Sequence, residues 1–182
     1  MRNPSPTIVA RCRCGQVALE ATGRPILTVA CYCDSCRKAA AELEALPEAP
    51  PVLGADGGTD FLLFRKDRVR PAAGAGRLGE HRLSADAKTR RVVAGCCNSP
   101  MFLEFEHGHW LSLYRDRFDP EARPPLEMRT MTGDLGPEVR LDDAVPSAAT
   151  HTPGFMWKLL AAWAAMGFRT PGVDYVQGRV GR

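Results

Sequence analysis

No cysteine lies outside three short stretches of this 182-residue sequence. Cys12 and Cys14 make the first, Cys31, Cys33 and Cys36 the second, and Cys96 and Cys97 the third. Also missing is any apolar run approaching the roughly 20 residues of a membrane span, so no bilayer segment is expected. A surplus of one charge is lacking too: 24 Lys and Arg against 21 Asp and Glu leave a formal +3. So mild a field argues against nucleic acid as the main partner. The opening Met1-Arg2-Asn3-Pro4-Ser5-Pro6 has no apolar core and is not expected to act as a secretory signal. Seven thiols are an odd number, and C-x-C pairs sit too close to bridge comfortably, which speaks against a disulfide framework. A reducing, cytoplasmic setting fits these absences. There is no phosphate-binding loop either. Residues 54–59 (GADGGT) are glycine-rich but lack the G-x-x-x-x-G-K pattern and lead into a strand rather than a helix.

What is present is an ordinary globular composition, 45% hydrophobic and 25% charged. A chain of this length can bury a real core, so thiols are not needed as staples. Packing alone does not ask for three of them within six residues, as in Cys31-Tyr32-Cys33-Asp34-Ser35-Cys36. The C-x-C-x-x-C spacing suits a loop that turns several sulfurs onto one metal ion. Zinc takes four ligands and favours thiolate, so seven sulfurs divide as four plus three. Four thiolates make a closed structural site, whereas three leave one position open for water or substrate, as in catalytic zinc. Cys31, Cys33 and Cys36 are the natural three. Cys12 and Cys14 would then recruit Cys96 and Cys97, stapling two distant hairpins together. Seven thiolates and two zinc ions would bring the formal charge to neutrality. Two alternatives stay open: the central three complete a structural site with Cys96, or Cys96 is a buried thiol without a metal.

Residues 1–7 read as a loose tail and residues 8–182 as one domain. Strands are expected over 8–12, 16–21 and 26–31, the first two forming a hairpin with two sulfurs at its tip. Residues 37–46 (RKAAAELEAL) are good helix formers, closed by Pro47. Further strands are expected over 60–65, 80–83, 91–94, 103–105 and 111–114. Residues 66–79 read as irregular and basic, and the stretch from 115 to Pro153 as loop broken by prolines. Residues 155–168 (FMWKLLAAWAAMGF) make a helix apolar around most of its circumference, the pattern of a buried helix.

C-x-C-G-x-V, then a strand ending in C-x-C-x-x-C-R-K, then a strand ending in Cys97-x-Ser99-Pro100, resembles the glutathione-dependent formaldehyde-activating (GFA-like, centromere-protein-V-like) family. The resemblance covers about residues 8–105. It implies a mainly β, zinc-clamped β-tent of antiparallel hairpins, to which this chain adds a C-terminal helix and an extension from about residue 120. It implies a structural zinc at Cys12, Cys14 and the late cluster, and a more labile zinc at Cys31, Cys33 and Cys36. The activity it implies is carbon–sulfur lyase chemistry, the condensation of glutathione with formaldehyde. The family's late cluster is C-x-x-C-G-S-P. Here Ala94 stands where its first cysteine would be, with Cys96 two residues later, so this is a divergent branch.

Arg37 and Lys38 could hold the carboxylate of a thiol substrate such as glutathione, or, with Arg11 and Arg13, offset zinc–thiolate charge. Asp34 could act as a base beside an open metal, or accept backbone N–H bonds. His107 and His109 alternate around Gly108 and read as surface residues, while His81 and His151 stand alone. Trp157, Trp163, Phe155 and Met166 could meet a partner or a second subunit in a homodimer, or pack on their own sheet. The rival to an enzyme is a zinc-stabilised protein-binding module without catalysis.

Overall fold

Phe61-Leu62-Leu63-Phe64 is apolar at every position, the pattern of a strand covered on both faces. A computed structural model describes residues 5–180 and bears this out. In chain order the strands are β1 (Thr7–Arg11), β2 (Ala18–Thr22), β3 (Leu27–Cys31), β4 (Thr59–Arg65), β5 (Val69–Ala73), β6 (Leu78–His81), β7 (Thr89–Ala94), β8 (Ser99–Phe105), β9 (Trp110–Tyr114) and β10 (Met128–Thr130). Two helices interrupt them, α1 (Asp34–Glu44) and α2 (Pro153–Ala164). The fold is mainly β. A small antiparallel sheet has the order β1-β2-β5, and a seven-stranded sheet has the order β10-β3-β4-β9-β8-β7-β6. Every pairing between these strands is antiparallel except β10 with β3, where Thr130 lies beside Cys31. Among the described residues no helix is long and apolar enough to cross a membrane.

Successive side chains of a strand point to opposite faces, and β4 shows what each face covers. Leu62 and Phe64 join Leu19, Phe102, Leu111 and Phe118 in a core beneath the small sheet. Phe61 and Leu63 face the other way, into a second core with Leu43 of α1 and Phe155 and Leu159 of α2. The large sheet is therefore a partition, with the small sheet on one side and the helices on the other. The segment after residue 172 returns to this body: Val173, Tyr175 and Val176 pack on the first core. Val180 N–H donates to Glu80 O.

Several expectations need correction. Residues 66–79 are not irregular throughout, since they hold β5, which pairs Arg70 with Glu20. Pro71 and the basic residues mask it, yet proline is tolerated because β5 is an edge strand with one side unpaired. The loop before Pro153 likewise hides β10, only three residues long. α1 begins at Asp34 rather than Arg37, with Cys33 as its N-cap. An acidic residue in the first turn suits the positive end of the helix. Of the tail expected over residues 1–7, residues 1–4 lie outside the described residues. Pro6 O accepts from Gly23 N–H and Thr7 opens β1.

The largest correction concerns α2. Thr152 caps it, accepting from Phe155 N–H, and Pro153 opens it. Within the helix Phe155 and Leu159, one turn apart, are the buried residues, while Met156 is 52% and Trp157 68% exposed. An all-round apolar sequence here packs by one edge only. His109, read as a surface residue, holds that edge: it is buried, its Nε2 lies 2.8 Å from Leu159 O, and its ring stacks on Trp163. His107 is exposed as expected.

Candidate metal centre

Cys12 follows β1 at the tip of the first hairpin. Gly15 N–H donates to Cys12 O, closing the turn, and Val17 N–H donates to Cys12 Sγ. Gly15 sits at φ +77°, a left-handed conformation that glycine adopts without strain. Cys96 and Cys97 fall in the turn between β7 and β8, where Asn98 takes a φ of +49°. Adjacent cysteines on a straight strand would point apart; the turn brings them round together. Arg13 N–H donating to Ser99 Oγ at 3.0 Å locks the two tips, and Asn98 Nδ2 donates to Pro47 O in the segment after α1.

The four sulfurs of Cys12, Cys14, Cys96 and Cys97 all lie within 4.8 Å of one another. Cys12 Sγ is 3.5 Å from Cys14 Sγ and 3.8 Å from Cys96 Sγ, Cys14 Sγ is 3.3 Å from Cys96 Sγ, and Cys96 Sγ is 4.0 Å from Cys97 Sγ. A tetrahedral ion with metal–sulfur bonds of about 2.3 Å separates its sulfurs by about 3.8 Å. The separations scatter around that value and far exceed a sulfur–sulfur bond of about 2.05 Å. The tetrad fits a four-coordinate metal. Burial pushes the Cys96 thiol up. On Cys97 burial acts the same way, but the Ser99 hydroxyl and donors from Cys14 outweigh it and bring the thiol down to about 6.

The triad is local. Cys31 ends β3, Cys33 caps α1, and Cys36 lies in its first turn, where Cys36 N–H and Arg37 N–H both donate to Cys33 O. Their three sulfurs also lie within 4.8 Å of one another. Hydrogen bonds from the Cys31 and Cys36 thiols hold Cys33 far below the ordinary thiol range. The same sharing pushes Cys31 up to about 11 and Cys36 well above its usual value. Tyr32, between two ligand candidates, is buried and donates to Asp56 Oδ2 at 2.6 Å. A side chain at Gly58 would meet the Tyr32 ring at 2.8 Å, which accounts for glycine in the turn once compared with a phosphate loop.

A cavity of about 410 Å³ opens beside the triad, and Cys31, Cys33 and Cys36 form part of its wall. The rest is largely apolar: Phe61, Leu63, Leu103, Trp110 and Leu159, with Phe105 stacked on Trp110. Ser35, Thr89, Ser112, Thr130 and His151 supply its polar atoms. His151 gave no signal in sequence. Its ring stacks on Phe155 at 4.5 Å, and its Nδ1 lies 3.0 Å from the hydroxyl of Thr130, the residue beside Cys31.

The cations flagged from sequence are placed elsewhere. Arg37 pairs with Asp34 and donates to Asp134 O, Lys38 is exposed, and neither lines the cavity. Asp34 is exposed too, occupied by that ion pair. Arg13 pairs with Glu48. The cation that lies behind the triad is Arg91, 1% exposed, donating to Ser35 O at 3.0 Å. Among the described residues it has no carboxylate within ion-pair reach. Its hydrogen bond to Ser35 O ties the backbone between Cys33 and Cys36 to β7.

Residues 7–49 match the family model described as glutathione-dependent formaldehyde-activating enzyme. No curated protein matches the chain. Among solved structures, that of a Rhodobacter sphaeroides protein is similar at a TM-score of 0.46 and 13% identity, covering 78% of this chain and 100% of that one. That likeness is too distant to assign a function. The matched segment supplies Cys12, Cys14 and the whole triad, and both sulfur clusters could hold a metal such as zinc. Over residues 7–49, then, the chain is similar to the GFA family.

Proposed function

We propose that this chain is a two-zinc protein with a structural ion at the tetrad and a reactive ion at the triad, acting as a carbon–sulfur lyase on a small thiol adduct. The observation that carries the reading is a contrast: the tetrad gathers four sulfurs, enough to close a tetrahedral site, whereas the triad gathers three, and those three form part of the wall of a cavity. Bound there, a three-thiolate zinc would offer a Lewis-acid position that lowers the pKa of a substrate thiol. Glutathione is the thiol that the matched family description names.

The chain's own residues would do the rest. Apolar walls exclude water from a hydroxyalkyl thioether, whose carbon–sulfur bond would otherwise exchange freely with solvent. In the cleavage direction the bonding electron pair stays on sulfur, the carbonyl forms, and the hydroxyl proton must leave. His151 is the titratable base on the cavity wall, and with Nδ1 engaged by Thr130, its Nε2 is the nitrogen left to exchange that proton. Arg91 holds the loop between Cys33 and Cys36 in place through the Ser35 carbonyl.

Metal analysis tests the reading. Purified protein should contain two zinc ions per chain, one of them released by excess small thiol with chelator while the other stays. A single tightly held ion that thiols never displace would sink the catalytic reading. The second reading, a zinc-stabilised module that docks a protein or a second copy, is favoured by one observation: Met156, Trp157, Leu160 and Phe168 are exposed.

A further inference from the structure

We infer that the thiol this cavity accepts is apolar, an aromatic or branched alkyl thiol or its adduct, and not a charged peptide thiol. The inference deepens the reading above and rests on it for the role of sulfur, but its ground is the wall of the cavity.

A charged thiol such as glutathione brings two carboxylates and an ammonium group. Each must stay in water or meet a partner of opposite sign, since an unpaired charge in an apolar site is expensive. Among the described residues no Lys or Arg lines the wall, so none provides a fixed cation there. Arg37 is spent on Asp34 and on Asp134 O, Lys38 lies outside, and Arg91 is directed to Ser35 O and Thr89 behind the triad. Among the described residues no Asp or Glu faces the cavity to receive an ammonium either. Ser35, Thr89, Ser112 and Thr130 offer hydroxyls, enough to orient one small polar group.

Phe61 and Leu63 of β4 and Leu103 of β8, with Ser112 of β9 between them, form a floor, and the stacked Phe105 and Trp110 rings add to the wall. Leu159 and Met156 of α2 complete it. Size does not discriminate, since about 410 Å³ lies within the range for small-ligand sites. Chemistry does. A flat or branched hydrocarbon can cover these walls while its sulfur reaches the triad.

Calorimetry on the zinc-loaded full-length protein tests this with three probes: phenylmethanethiol, ethylbenzene as its shape without sulfur, and glutathione. Phenylmethanethiol should bind at least about ten-fold more tightly than glutathione, whose charges find no partner here. Met156→Lys, on an exposed turn of α2 where folding should survive, should weaken phenylmethanethiol by about five-fold by bringing a charge to the rim. Glutathione binding as tightly as phenylmethanethiol would overturn the inference, and so would indifference to Met156→Lys. Cys33→Ser separates the two layers. It should reduce phenylmethanethiol to the affinity of ethylbenzene. If it leaves the thiol's advantage over both other probes intact, the metal reading falls while the apolar cavity stands.

Discussion

The tetrad and the triad differ in how far along the chain their sulfurs travel. Cys12 and Cys96 are 84 residues apart, and joining them ties the β1–β2 hairpin to the β7–β8 turn, one from each sheet. The triad draws on six consecutive residues at the junction of one strand and one helix. Closing a long loop costs more chain entropy than closing a short one, so the tetrad depends more on its metal and gives more back when it holds. The triad is placed by structure that exists without it: the β3–β4 and β3–β10 pairings, the buried Tyr32 and the first turn of α1. On the proposed reading one cluster would make the fold and the other would be made by it.

Serine substitutions at matched positions offer the largest effect and the most direct way to break that contrast. Structural zinc contributes about 10–16 kcal/mol in small zinc domains, comparable to the roughly 5–15 kcal/mol that holds an ordinary domain together. Cys12→Ser should therefore abolish the folded state, read as insoluble protein or a lost cooperative melt. Cys33→Ser should remain folded, with Tm lowered by no more than about 5 °C and one zinc fewer per chain. Equal loss of folding in both variants would show that the clusters do not divide the work.

A smaller effect sharpens the electrostatic side. The tetrad has Arg13 at its edge, reaching out to Glu48, and Arg117 within electrostatic reach of Cys12 and Cys97, whereas Arg91 is buried and donates to the Ser35 carbonyl inside the triad loop. Arg91→Met keeps much of the length and removes the charge. Metal affinity at the triad should fall by about 10–100-fold, while tetrad affinity stays where it was. Competition with a chromophoric chelator, which resolves a fast and a slow zinc release, reads both at once. A change in the slow phase alone would assign Arg91 to the wrong cluster.

The same contrast separates what the sequence could disclose from what it could not. Spacing along the chain is visible, so the triad, the C-x-C tip and the late pair could be grouped, and the division into four and three followed from zinc chemistry. Strands with strong β-branched or apolar character, such as β3 and β4, could be placed nearly to the residue. What failed depended on neighbours. β5 carries Pro71 and reads as a strand only because β2 lies beside it. Arg91 looks like one more arginine until the Ser35 carbonyl is placed over it. His151 enters the cavity because β10 runs parallel to β3, a pairing no local pattern announces. The apolar sequence of α2 was misread for a different reason. Hydrophobicity says that a helix prefers cover, not how much the fold provides.

Acid should loosen the helix over the triad before it reaches the tetrad, and His109 is the reason. Burial holds this ring below the ordinary histidine range, with Lys66 and Arg65 adding repulsion and the Leu159 carbonyl working the other way. The folded chain thus binds fewer protons than the unfolded one as pH falls through about 6.5. Its contribution to stability is intact above that range and is lost below it. The ring stacks on Trp163, so detachment of α2 should appear as a change in tryptophan fluorescence between about pH 7 and 5.5. The loss of local stability should be about 1 kcal/mol. Zinc retained in the same samples should stay at the tetrad throughout, and His109→Gln should flatten the fluorescence transition. Fluorescence that moves only when all zinc leaves would mean that α2 and both clusters come apart together, and that the triad side has no stability of its own to lose.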